Sequence, residues 1–206
     1  MKPIYVIGAG GHGAVVAEVA EAAGLEVAGF IDDVQNKGAE VLRWKVLGGR
    51  ESIPRGAAAV VAIGDNNARA EITAESEREG WDLPVLIHPS AVVSPSAQLG
   101  AGTVVVAGAI VNARTVTGRG CILNTSCSVD HDCAIGDFAH ISPGTRLAGD
   151  VSVGERTLVG VGSCARPGVS IGSGCVVGAG SVIISDIPDA VTVYGCPARI
   201  HQQAKE

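Results

Sequence analysis

From Ile87 to Ile183, every sixth residue of the chain is aliphatic or small. The column runs Ile87, Val93, Leu99, Val105, Val111, Thr117, Leu123, Val129, Ile135, Ile141, Leu147, Val153, Val159, Ala165, Ile171, Val177, Ile183. Small or β-branched residues fill a second column two places earlier, among them Ala91, Thr103, Ala109, Cys121, Cys127, Cys133, Thr145, Val151, Ser163, Val169, Cys175 and Ser181. Two inward positions around one outward position make a very short strand. Glycine, asparagine or aspartate follows many of the aliphatic residues, as at Gly100, Asn112, Gly118, Asn124, Asp130, Gly136, Gly154 and Gly172. These types accept the backbone angles of tight turns. Three strand–turn units then close a triangular coil of about eighteen residues, stacked on its neighbours at ~4.8 Å. The run predicts five to six coils. An amphipathic helix would repeat near every 3.6 residues, which this pattern does not do. The period by itself leaves the handedness of the coil open.

The first eighty residues follow another pattern. Ile4 to Ile7 is a short apolar run ending in Gly8-Ala9-Gly10-Gly11-His12-Gly13. A helix is predicted next, with Val15, Val16, Val19 and Ala20 on its apolar face, stopping near Gly24. Strands are predicted over Val27–Ile31 and Ala58–Ile63, a helix over Ala68–Glu79, and a lead-in over Val85–Ile87. This order implies a small parallel α/β domain. Ligands of such sheets bind beyond the carboxyl ends of the strands. Those ends are Gly8–Gly13, Asp32-Asp33 and Gly64–Asn67, which should converge on one crevice. Gly8, Gly10 and Gly13 match G-x-G-x-x-G, and amides there could cradle a phosphate or pyrophosphate. A domain of this size is short for a two-halved dinucleotide fold, so a nucleotide diphosphate carrying a sugar fits better than NAD. The expected division is 1–86 for the α/β domain, 87–188 for the solenoid and 189–206 for a closing segment and tail.

Composition sharpens this picture. Of 206 residues, only 3% are aromatic, as a thin prism core requires. A net charge of −6 with no basic stripe argues against nucleic acid as a partner. The start lacks the features of a signal peptide, and no segment is long and apolar enough to span a bilayer, so a cytoplasmic location is expected. Six cysteines raise the possibility of metal, but Cys121, Cys127, Cys133 and Cys175 fall in the inward column and no C-x-x-C occurs. No metal site is expected.

Two histidines interrupt the repeats. His131 sits in a turn between Asp130 and Asp132, and His140 alternates outward between Ala139 and Ile141. Imidazole is the side chain suited to take a proton from an attacking amine or hydroxyl near neutral pH. Asp130 or Asp132 could hold the ring of His131 in one tautomer. A glycine-turn amide, as in Ala148-Gly149-Asp150, could support charge on a thioester oxygen.

The repeat, with Leu99-Gly100, Ile135-Gly136, Val153-Gly154, Ile171-Gly172 and Val177-Gly178, resembles that of left-handed β-helix acyltransferases. The whole chain is similar to bacterial sugar acetyltransferases of the PglD/NeuD type. The resembling stretches are Ile4–Gly13, Gly29–Asp33, Ala62–Asn66, Ile122–Ser126, Asp130–Cys133 and Gly195–Arg199. The resemblance implies a left-handed parallel β-helix after a Rossmann-like α/β domain. It implies a homotrimer with sites between subunits, His131 as general base and Asp132 as the residue that raises its basicity. Asp132 is one methylene shorter than the glutamate often found there, which puts direct contact with the ring in question. The resemblance assigns His140 and the Gly149 amide to the acetyl group and thioester of acetyl-CoA, and Val161 and Ala179 to the pantetheine and adenine path. It assigns Gly10, Gly11, His12, Asp32, Asp33 and Gly64 to the nucleotide sugar.

The resulting expectation is an acetyl-CoA-dependent N-acetyltransferase acting on a nucleotide-linked amino sugar, with a UDP-4-amino-sugar first. O-acetylation of a sugar such as sialic acid is the first alternative, and a noncatalytic nucleotide-binding scaffold the second.

Overall fold

A computed structural model describes residues 2–203. The chain opens with β1 (Ile4–Ile7), α1 (Gly11–Ala22), β2 (Val27–Ile31), β3 (Glu40–Val41), β4 (Trp44–Gly48), β5 (Ala58–Val61) and α2 (Asn66–Arg78). The strands form one sheet in the order β3-β4-β2-β1-β5, parallel except for the β3–β4 hairpin. The hairpin was missed because β3 is two residues long and exposed in part, with too little apolar alternation to register. The predicted apolar face of α1 needs one correction. Val15 is exposed, and the buried face is Gly13, Val16, Ala17, Val19 and Ala20.

The solenoid has three parallel walls. The first carries Leu86–Ile87, Val104–Val105, Ile122–Leu123, His140–Ile141, Leu158–Val159 and Val176–Val177. The second runs from Val92–Val93 to Val182–Ile183, and the third from Val116–Thr117 to Ser170–Ile171. Partners in neighbouring coils lie eighteen residues apart, as for His140 with Leu158. The coil is left-handed. A closing antiparallel pair, Val191–Gly195 with Ala198–Gln203, extends the first wall.

From Val105 to Ile183 the aliphatic column is buried, but Ile87 at its start is 37% exposed. There is no earlier coil below Ile87 to cover it. The second column is more than filler. Inward hydroxyls donate to corner carbonyls fifteen residues on: Thr115 Oγ1 to Asp130 O (2.7 Å), Thr145 Oγ1 to Gly160 O (3.0 Å) and Thr157 Oγ1 to Gly172 O (2.6 Å). Cys121 Sγ and Cys133 Sγ make the same bond, to Gly136 O and Ala148 O. Small polar side chains thus fit the prism because the turn carbonyls receive them. Burial pushes the Cys121 and Cys127 thiols up to about 12, so both keep their proton at neutral pH and serve as small packed side chains.

The α/β domain packs on the outside of the first wall. Leu86, Val104 and Val106 share one core with Val16, Val19, Ala20 and Phe30. Arg69 on α2 joins the two halves and is 1% exposed. Its guanidinium donates to Gly120 O (2.8 Å) and Phe138 O (2.5 Å) on the solenoid, and to Ile63 O (2.9 Å) and Asn66 Oδ1 (2.6 Å) on its own side. Burial lowers it to about 10, so it stays charged at neutral pH. Arg69→Met should leave several buried carbonyls unpaired and cost at least ~3 kcal/mol in urea unfolding, counting about 1–3 kcal/mol for each. A loss under ~1 kcal/mol would show that this joint is not what holds the halves together.

Candidate active site

Each coil makes a short turn at each corner of the prism, and the turns of successive coils stack. At the corner after the second wall, His131 and Gly149 are stacked neighbours, with Asp150 N donating to His131 O (2.9 Å). Gly149 is buried against the ring: a Cβ there would lie 2.5 Å from His131 Cε1 and 2.6 Å from Nε2. Only glycine lets the imidazole lie flat on the next coil. The Gly149 amide makes no hydrogen bond among the described residues.

His131 is exposed, and its Nδ1 is 2.7 Å from Asp132 Oδ2. The shorter carboxylate therefore does reach the ring. Asp132 takes a left-handed turn conformation at this contact, φ 61°. Asp130 plays another part: it accepts the His131 backbone N–H (2.8 Å) and an Asn112 Nδ2 donor (2.9 Å). Arg114, one coil earlier, grips Asp132 through Nε to Oδ1 (2.6 Å) and Nη2 to Oδ2 (2.7 Å). Hydrogen bonds from Arg114 and then His131 hold the Asp132 carboxyl well below the usual carboxylate range. An ionised Asp132 can only accept, so His131 carries its proton on Nδ1 and leaves the Nε2 lone pair free.

A second cluster lies on the first wall, beneath the α/β domain. His140 Nε2 accepts from Asn124 Nδ2 (3.0 Å), and its ring centroid is 6.4 Å from that of His12. His12 Nε2 is buried with no hydrogen-bond partner among the described residues. Burial first, then Arg69, lowers both rings to about 4, with His12 adding to the effect on His140. Both are neutral at pH 7, so His12 would meet a phosphate as a hydrogen-bonding group, not as a cation.

The glycine-rich loop divides by role. A Cβ at Gly13 would fall 2.0 Å from Gly8 O, and Gly8 has φ 107°, so these two glycines serve the packing of loop against helix. Gly10 and Gly11 have open space where a Cβ would stand. They are the positions at which a ligand can approach the backbone. Asp32 accepts Ala9 N–H on Oδ2 and Val34 and Gln35 N–H on Oδ1, each at 2.9 Å. Burial alone would raise this carboxyl, but the three amides outweigh it and hold it low. Asp33 pairs with Arg50 (2.8 Å). Gly8, Asp32, Asp33, Arg50 and Ile63 line a hollow of about 190 Å³ at the carboxyl ends of β1 and β2. Gly64 does not open on it. With Asn66 and Asn67, it borders a cleft of about 620 Å³ against Arg156, Leu158 and Ser173 of the solenoid.

One chain does not bring all the expected residues together. His131 and Gly149 lie at the corner after the second wall, while Val161 and the following Ala179 stack at the corner after the first. His140 faces out from the first wall itself. Arg114, Asn124 and Arg69 were not anticipated from sequence. The coil register could have found Arg114, since it stands eighteen residues before Asp132. No group of three or more metal-ligating side chains occurs among the described residues.

Residues 3–76 match the model of the PglD N-terminal domain, and residues 150–185 that of the hexapeptide repeat of succinyl-transferase. Perosamine N-acetyltransferase (PerB) from Caulobacter crescentus, solved with CoA and GDP-perosamine, is 42% identical over 98% of both chains, with a TM-score of 0.93. The acetyltransferase domain of PglB from Neisseria gonorrhoeae is 43% identical, covering 98% of this chain and 100% of its own, with a TM-score of 0.92; the same domain has been solved with acetyl coenzyme A. WeeI from Acinetobacter baumannii is 25% identical over 98% of this chain, with a TM-score of 0.86. Fold and relatives together define a hexapeptide-repeat acetyltransferase. The chain belongs to the PglD/NeuD-type family of sugar acetyltransferases.

The buried histidines make stability depend on pH. Unfolded, each ring binds a proton near 6.5; folded, near 4. Between these values the unfolded chain holds more protons, so their contribution is complete above 6.5 and fades on acidification to 4, by on the order of 3 kcal/mol per ring at most. Urea unfolding at pH 7 and pH 5 should show wild type losing more stability than His12→Asn or His140→Asn. Equal losses in all three would remove the histidines as the cause.

Proposed function

We propose that the enzyme transfers the acetyl group of acetyl-CoA to the amine of a nucleotide-linked amino sugar, with His131 as general base. The observation that carries this reading is the Asp132–His131 contact at an exposed corner, over a glycine whose amide is unpaired. The amine nitrogen attacks the thioester carbonyl and passes its proton to His131 Nε2. Asp132 stabilises the imidazolium that forms. The Gly149 amide donates to the carbonyl oxygen as it gains charge. Collapse of the tetrahedral species expels CoA as a thiolate, which takes up the proton held by His131.

Gly10, Gly11, His12, Asp32, Asp33 and Gly64 bind the nucleotide sugar in this reading. The open backbone at Gly10 and Gly11 supports a diphosphate there. His140 contacts the acetyl group and thioester of acetyl-CoA in this reading, and its ring centroid lies 6.4 Å from that of His12. Val161 and Ala179, both exposed, carry the rest of CoA along the prism. A UDP-4-amino-sugar is the first substrate to try, and the GDP-perosamine bound to a 42%-identical relative supports trying GDP sugars beside it.

His131→Ala should lower kcat/KM for such an acceptor at least ~10²-fold, the usual contribution of a general base. Following CoA release with UDP-, GDP- and dTDP-amino sugars and with sialic acid measures both the loss and the acceptor. Retention of turnover within about threefold would reject the base. Activity on sialic acid alone would shift the reaction to O-acetylation.

Separation of His131 from His140 on one chain supports a homotrimer whose sites form between neighbouring chains. Co-expressed His131→Ala and His140→Ala chains should then recover up to about a quarter of wild-type activity, since randomly mixed sites of a closed ring pair two intact residues that often. No recovery would place the whole site on one chain.

A further inference from the structure

We infer that Arg114 is a positioning residue for the catalytic base, holding Asp132 against His131 and limiting how strongly that carboxylate favours the imidazolium. This rests on the reading of His131 as the base. Arg114 and Asp132 occupy the same place in successive coils, both with φ 61°, so their side chains start from stacked backbones. The Arg114 backbone N–H is itself held by Ser96 Oγ (3.1 Å), one coil earlier again. Both oxygens of Asp132 are engaged by the planar fork, and Oδ2 is shared with His131 Nδ1.

Two consequences follow from that sharing. Asp132 cannot swing away from the ring without breaking two charge-assisted bonds, so the ring keeps its orientation. Part of the Asp132 charge is also neutralised before the imidazolium forms. The charged side chains on the stacked turns around His131 are Asp130 and Asp132 of its own turn, Arg114 below and Asp150 above. Three carboxylates would favour the protonated ring, which is inactive as a base. Arg114 is the cation among them. Its pair with Asp132 is exposed on both sides, at 65% and 38%, and such pairs add little to stability. Its effect is therefore expected in catalysis and not in folding.

The test uses Arg114→Met and Arg114→Lys in the full-length enzyme, beside His131→Ala. The titration midpoint of the His131 ring is read by NMR, and kcat/KM is read against pH. In Arg114→Met the ring midpoint and the acid limb of kcat/KM should both rise by about half a unit, the size of one charge at roughly 6 Å in water. The plateau should fall roughly tenfold as orientation is lost. Arg114→Lys should restore the midpoint but not the plateau, because an ammonium cannot grip both oxygens. Melting temperatures should stay with wild type. An unmoved ring midpoint in Arg114→Met would overturn the inference. A raised midpoint with an unmoved acid limb would keep the clamp and reject His131 as the base.

Discussion

Every coil of the solenoid hangs on the next through backbone hydrogen bonds: Val104 N to Cys121 O, Ile122 N to Ala139 O, His140 N to Thr157 O, Leu158 N to Cys175 O. Each of these N–H groups reaches a carbonyl seventeen residues on, which sets facing residues eighteen places apart, and the ladder tolerates no local slip. Corner residues must therefore stack. The Asp132–Arg114 clamp and the His131–Gly149 contact both follow from that registry, as do the carbonyls that receive inward threonines and cysteines. A side chain on an irregular loop would need its own supports. Here the supports come with the fold, because the turn below and the turn above are already fixed.

The α/β domain imposes a different physical regime on the first wall. Burial beneath it, around the charged Arg69, keeps His12 and His140 neutral. His131, on an open corner, is instead governed by hydrogen bonding to a carboxylate. Two histidines nine residues apart thus sit in different environments: one covered and uncharged, the other open and hydrogen-bonded to a carboxylate, which fits the proton exchange proposed for it.

The solenoid was legible because its period is short and strict. The same regularity made the inward column and the outward direction of His131 and His140 readable. What the sequence could not show was what covers the outside. Ile122 occupies an outward position and is nonetheless 1% exposed, because α2 and its neighbours lie over that wall. For the same reason His140 is half-buried when its alternation promised only an outward direction. The β3–β4 hairpin escaped because β3 is two residues long and β4 buries only Val46, so neither shows apolar alternation or a repeat. Arg114 escaped for another reason: it lies outside the inward columns, and its partner becomes visible only when residues are compared one full coil apart.

Backbone pairing at eighteen residues and side-chain packing at six give the chain two different units of length. A six-residue insertion between His131 and Gly149 would leave every later aliphatic residue facing inward. It would also carry all later corners round by one third of a turn, leaving a different corner above the imidazole. An eighteen-residue insertion beyond Gly149 would keep the walls aligned and only lengthen the prism, with the His131–Gly149 contact intact. Such a chain can therefore grow or shrink by whole coils beyond the His131–Gly149 pair and keep that contact, whereas a change of one hexad between the two residues preserves the fold and separates them.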